Sequence, residues 1–268
     1  MSDQARAYLY AAGAVTAWAT VASAFKLTLR HVGPLQMLCG ASGVSMLFLF
    51  AFLLVTGRLG VLAGYSRRQF GYSLVLGLLN PAVYYAVLFA AYDLLPAQEA
   101  LTLNYTWPIM LVVLSVPLLG QRIGYRSFIA MAVSFAGVAV VATRGDIFSL
   151  DLARPFGSAL ALGSALIWGL FWIGNVRDER DEVPKLLLNF CFGFPVVLVL
   201  MLIFSGVPEP GLAGWVGIAY VGLFEMGLTF VLWLKALSCA ENTATVSNLI
   251  YLTPFLSLLV IRIVVGEP

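Results

Sequence analysis

Charge is scarce in this chain of 268 residues: Asp, Glu, Lys and Arg make up 10% of it, against about 25% in an ordinary soluble domain. A surface so poor in charge is not wetted, which excludes a soluble globular protein. Histidine occurs once, at His31, and the three cysteines, Cys39, Cys191 and Cys239, form no CxxC pair. They support no metal site, no disulfide framework and no cofactor. A net charge of +2, from 15 basic and 13 acidic residues, is too small to draw nucleic acid. The phosphate-cradling GxxxxGK[ST] loop, HExxH, GxSxG and paired membrane aspartates are all missing, so ATP-driven pumping within this chain has no site. An intramembrane enzyme is left only as the alternative of another class.

What the chain has instead is long apolar runs, with 61% hydrophobic residues. A bilayer core of about 30 Å takes about 20 apolar residues per helix. Nine spans are predicted on that scale: 7–25, 32–57, 69–92, 100–121, 127–143, 155–176, 186–208, 210–234 and 242–261. The fold class is thus an all-α integral membrane protein. Arg6 and the Ala22-Ser23-Ala24 triplet give the first span some likeness to a secretory signal, but it has a counterpart within the chain and reads as a span. The most polar link, Arg177 to Lys185 (RDERDEVPK), has the charge density of a solvated turn. Cytoplasmic loops carry excess Lys and Arg. Alternating the crossings puts ten of the basic residues on the side of Arg6 and five on the other, which predicts a cytoplasmic N-terminus.

The chain also repeats itself. An offset of 146 superposes Ala90, Tyr105, Pro108, Gly120 and Gln121 on Ala236, Tyr251, Pro254, Gly266 and Glu267; an offset of 150 superposes Gly13, Trp18 and Pro34 on Gly163, Trp168 and Pro184. The expected organisation is a first five-helix repeat over 1–144, a loop over 145–154, and a second repeat over 155–268 with four helices. An odd number of crossings per copy turns the second upside down, and inverted repeats are a transporter signature. The repeat calls for a tenth helix, which this chain lacks.

LLGQR (118–122), followed by a helix ending AGVAVVATR (136–144), and its echo TPFLSLLVIRIVVGEP (253–268) resemble the EamA-type half of the drug/metabolite transporter superfamily. The likeness is greatest to its YddG-type amino-acid exporters of bacterial inner membranes. That resemblance implies two inverted five-helix halves around a cavity lined by the first four helices of each, and export of small amphiphilic metabolites, above all amino acids. A drug or nucleotide-sugar carrier of the same superfamily is the alternative; few basic residues fall on the cavity helices, which disfavours anionic sugar nucleotides.

Aromatic residues with polar edges gather at membrane interfaces, so those at mid-span stand out. Trp18, Tyr84, Tyr105, Trp107, Trp168 and Tyr251 are such residues, and their polar atoms need a partner or water at that depth. Tyr105 and Trp107 fall about 200° apart on a continuous helix, so both should not face one cavity. Pro81, Pro108 and Pro254 break spans near their middles. The last two free the carbonyls of Asn104 and Ile250, which marks hinge or binding segments. Asn80 lies four residues before Tyr84 on a shared helix face, and Asn248 sits near Tyr251; both are candidate ligand amides. Glu225 is the ionisable residue deep inside a span, with Thr229 one turn on. As a carboxylate it can hold a substrate ammonium or carry a proton. Asp93, Glu99, Lys26, Lys235 and Glu241 lie near span ends, where interface solvation or snorkelling accounts for them.

Overall fold

A computed structural model describes residues 1–143, 145–146 and 154–264, and the regular structure among them is helical. α1 (Asp3–Thr28) begins where the Ser2 hydroxyl accepts the amide of Ala5 at 3.2 Å. α2 (Pro34–Val55) has its proline at the first turn, where no amide is needed. The third rod is α3 (Arg67–Gly77), a wide π turn over Leu78–Val83, and α4 (Tyr84–Leu94). The fourth is α5 (Ala97–Asn104) and α6 (Trp107–Leu119), interrupted at Tyr105 and Thr106. α7 (Tyr125–Ala142), α8 (Pro155–Arg177) and α9 (Glu182–Phe204) are continuous. The eighth rod repeats the π break, with α10 (Leu212–Val221), a turn over Gly222–Gly227 and α11 (Leu228–Cys239). The ninth is α12 (Thr243–Ser247), a 3₁₀ turn over Asn248–Leu252 and α13 (Thr253–Val264).

Nine rods are therefore present among the described residues, and seven of them are long and apolar enough to cross a membrane: Pro34–Val55, Arg67–Leu94, Glu99–Leu119, Pro155–Arg177, Glu182–Phe204, Leu212–Cys239 and Thr243–Val264. The nine expected spans are thus met by seven. α1 is rich in Ala and carries few Leu and no Ile, which lowers its hydropathy. Small residues serve a second purpose there. Ala7, Ala11 and Ala14, spaced three and four apart, are fully buried, so α1 packs closely against α11 and α13. α7, at 18 residues, is short, and its apolar part covers Tyr125–Val140.

Packing sorts the rods into two groups with a pair between them. α1 lies against α10, α11 and α13, and α8 lies against α4, α5 and α6. α2 and α9 pack on each other; α2 also meets the π turn of the eighth rod, and α9 that of the third. α7 stands outside, touching α5, the 3₁₀ turn and α13. Glycine sets the closest approach. A Cβ on Gly77 would collide with the Asn189 carbonyl, and one on Gly193 with the Gly77 carbonyl and the Pro81 ring, so α3 and α9 meet backbone to backbone.

The link RDERDEVPK is not the solvated turn its charges suggest. Arg180 and Lys185 are buried. The Arg180 guanidinium donates to Asp178 at 2.9 Å (Nε to Oδ1) and 2.5 Å (Nη2 to Oδ2), and Nη2 also reaches the Ser73 hydroxyl at 2.8 Å. Its guanidinium carbon stands 4.9 Å from the Tyr65 ring centre. Arg58 pairs with Asp181, and with that carboxylate beside it the guanidinium holds its proton more tightly than usual. Lys185 Nζ donates to the carbonyls of Asn175 and Asp178 at 2.8 and 2.6 Å, placing a cation on the unsatisfied end of α8. Pairing within the segment lets it fold back onto the bundle and close that end. Lys185→Met keeps the apolar stem and deletes both bonds; a loss of about 3 kcal/mol is expected, since each hydrogen bond from a charged group contributes about 1.5–3 kcal/mol. Thermal melting in detergent measures it, and an unchanged melting temperature would deny the cap.

Glu99 also departs from expectation. It is buried rather than at the interface, because α5 packs on α8 and the Ser158 hydroxyl donates to Glu99 Oε1 at 3.4 Å.

Candidate functional site

A cavity of about 250 Å³ opens between the two groups of rods. Of the residues singled out from the sequence, Trp18, Tyr84, Tyr105, Trp107, Trp168 and Glu225 line it. They arrive from α1, α4, the break in the fourth rod, α6, α8 and the π turn of the eighth rod. Tyr105 and Trp107 both reach the cavity because α5 ends before them and α6 starts at Trp107, so the 200° separation of a continuous helix does not apply. Proline is the local cause: Pro108 opens α6, and Asn104, four residues earlier, lines the cavity. Pro254 stands likewise in the first turn of α13, with Ile250 on the cavity wall.

Three candidates lie elsewhere. Asn80 is buried, and neither atom of its amide has a partner among the described residues. Its backbone is extended (φ −148°, ψ 126°) inside the turn that also holds Pro81, so it does not share a helix face with Tyr84. Tyr251 packs with Val112, Met131 and Val138 on the α7 side, away from the cavity. Asn248 lies in the 3₁₀ turn and is not on the cavity wall. A 3₁₀ stretch turns about 120° per residue rather than 100°, which rotates Asn248 and Tyr251 off the α-helical register.

Glu225 sits in a π turn, where one extra residue widens the helix and re-aims the side chain. The Tyr85 hydroxyl donates to its Oε1 at 3.2 Å, and the Trp18 indole donates to its backbone carbonyl at 3.2 Å. Thr229 does not help: its hydroxyl donates to the Phe224 carbonyl. Opposite, the Tyr84 hydroxyl donates to Asn104 Oδ1 at 3.4 Å, while Asn104 Nδ2 donates to Ser164 at 3.0 Å. The rings are tilted and edge-on to one another around this space. Tyr84 and Trp168 have centroids 4.3 Å apart, Trp107 and Trp168 6.2 Å, and Trp18 and Trp107 6.5 Å.

Tyr85, Tyr92 and the Asn104 side chain also line the cavity and were not singled out as ligand groups. Tyr92 was legible, being two turns beyond Tyr84 on one helix face. Tyr85 was not, because the π turn before α4 decides which of two adjacent tyrosines meets Glu225.

The lining of the cavity extends to one side only, among the described residues. Along α1, α4, α5 and α13 its lining runs from mid-rod toward Phe25, Tyr92, Leu101 and Ser257, all on the membrane face opposite the N-terminus if crossings alternate. Toward the other face, Trp172, Phe230 and Trp233 are fully buried. Trp168 lies 5.7 Å from Trp172 and 5.6 Å from Phe230, and Trp107 lies 5.9 Å from Trp233, ring centre to ring centre. Beyond this aromatic plug, Gln121 Oε1 accepts the amide and hydroxyl of Thr243 at 2.9 and 3.1 Å, tying α12 to the end of α6.

The sequence matches the profile of the EamA-like transporter family over residues 5–143 and again over 155–268. It is 26% identical to the aromatic amino acid exporter YddG of Ancylobacter novellus over 211 residues, 74% of this chain and 73% of that protein. An uncharacterized transporter of Bacillus subtilis, YvbV, is 24% identical over 73% of this chain and 64% of its own length. One solved crystal structure superposes with a TM-score of 0.84 at 22% identity, covering 97% of this chain and 88% of that one.

Proposed function

The chain belongs to the EamA-like transporter family, a transporter and multi-pass membrane protein, and from that premise we propose that it exports small amphiphilic metabolites bearing an amine, amino acids with aromatic, hydrophobic or neutral side chains among them. The observation that carries this reading is the aromatic cavity at mid-span, with Glu225 in its wall, its lining extending toward one end and buried aromatic rings filling the other. An aromatic wall takes an apolar body and a carboxylate takes an ammonium.

Transport proceeds by rocking of two inverted halves, residues 1–144 and 155–268, joined by the segment 145–154, of which 147–153 lie outside the described residues. Exchanging the first four rods with the sixth to ninth supports this. The exchange turns the α1–α11 contact into α8–α4, α1–α13 into α8–α6, and α2 on one π turn into α9 on the other. Moving the α1 group against the α8 group would part the plug and close the mouth, which is alternating access around a fixed site. The N-terminus is cytoplasmic in this reading, on the basic-residue count, and the cavity as it stands faces outward in a bacterial inner membrane.

Counterflow of labelled amino acids in proteoliposomes, with and without a pH gradient, tests substrate class and proton coupling together; absence of counterflow would reject the reading. Orientation has its own test. With the three native cysteines removed, Ser257→Cys is expected to react with a membrane-impermeant maleimide from outside intact cells. Labelling only from the inner face of inverted vesicles would reverse the assignment.

A further inference from the structure

Resting on the reading of the central cavity as the transport site, the geometry points to a substrate with an aromatic body and an ammonium but no carboxylate: arylalkyl amines are preferred over the corresponding amino acids. Among the described residues that line the cavity, Glu225 is the one carboxylate and none is Lys, Arg or His. The rings around it, Trp18, Tyr84, Tyr85, Trp107 and Trp168, carry π systems that attract a cation, an effect that strengthens once the cation is desolvated. Carboxylate and rings thus select the same sign of charge, and nothing on the wall carries the opposite sign.

An α-amino acid bears both groups on one carbon. Seating its ammonium on Glu225 therefore leaves its carboxylate in the same layer of the cavity. The cations on neighbouring elements do not reach that layer. Trp18 marks its height on α1 through its bond to the Glu225 carbonyl, and Lys26 is eight residues further on, about 12 Å along the helix at 1.5 Å per residue. Arg154 is not on the wall, and its guanidinium donates to the Leu94 carbonyl at 2.7 Å. Phenols of Tyr92 and Tyr105 are on the wall, but a bond from a neutral donor is roughly half as strong as one from a cation. A second carboxylate beside Glu225 is stripped of water next to a like charge and receives no ion pair in return.

Three probes sharing one ring separate the charges: tryptamine, tryptophan and indole-3-propionate. They are applied to the purified full chain as ligands in thermal stabilisation and as competitors in counterflow. Tryptamine is expected to half-saturate at a concentration at least tenfold below tryptophan, with indole-3-propionate weakest, and Glu225→Gln is expected to shrink the gap between tryptamine and indole-3-propionate at least tenfold. Tryptophan acting at or below the concentration of tryptamine would overturn the preference while leaving transport through this cavity standing. An unchanged order in Glu225→Gln would overturn the role of that carboxylate. If none of the three probes stabilises the protein or competes, the central cavity is not the transport site and the functional reading itself fails.

Discussion

Replacing Glu225 with Gln is expected to weaken binding of an ammonium-bearing substrate ten- to a hundredfold and to slow its counterflow by a similar factor, with the protein still folded. Gln matches Glu in shape and still accepts the Tyr85 hydroxyl through its amide oxygen, so the substitution isolates the charge. An ion pair at about 4 Å in a medium of effective dielectric 20 is worth about 4 kcal/mol before desolvation is subtracted. Losing water from both groups takes back a large part, and the remainder corresponds to one or two decades, at about 1.4 kcal/mol per decade. The trp-containing wall is unaltered, so an uncharged aromatic ligand should bind as before. Wild-type affinity, rate and pH profile in the Gln variant would reduce Glu225 to an interhelical hydrogen-bond partner.

Gly77→Ala and Gly193→Ala are expected to abolish or sharply reduce the yield of folded protein. Each added methyl would run into backbone or a proline ring on the facing element, the Asn189 carbonyl in one case and the Gly77 carbonyl with Pro81 in the other. A flexible side chain can yield to a methyl, but two helices held at backbone contact must separate along their length. Overpacking of a well-packed core costs about 1–3 kcal/mol or more. Here separation also loosens the π turn of the third rod, which packs on α9 just above Tyr84. Gly71→Ala is the internal control: nothing lies within 4 Å of its Cβ, and Ala is favoured over Gly inside a helix by up to about 1 kcal/mol. Monodisperse yield after detergent extraction compares the three. Normal yield of Gly77→Ala would contradict the close approach.

The sequence by itself determined that this chain lies in a membrane, that it is helical, where its long apolar segments run, and to which family it belongs. The first three follow from composition and run length, because a bilayer demands about 20 apolar residues per crossing and lets only helices or closed barrels satisfy their backbones there; the family follows from the repeated motifs and the profile match. It also pointed to Trp18, Tyr84, Trp107, Trp168 and Glu225, since a polar tip at mid-span needs somewhere to go. Register within each rod was decided by tertiary structure. The π turns at Leu78–Val83 and Gly222–Gly227, the break before Trp107 and the 3₁₀ turn at Asn248–Leu252 rotate everything beyond them. Those rotations bring Tyr85 to Glu225 and both Tyr105 and Trp107 into one wall, and they take Asn80, Asn248 and Tyr251 out of it. The burial of Arg180 and Lys185 has the same origin. A charged link reads as solvated until its partners, Ser73 on the third rod, Tyr65 just before that rod and the end of α8, are seen to surround it, and such contacts between distant segments leave no local pattern in a sequence.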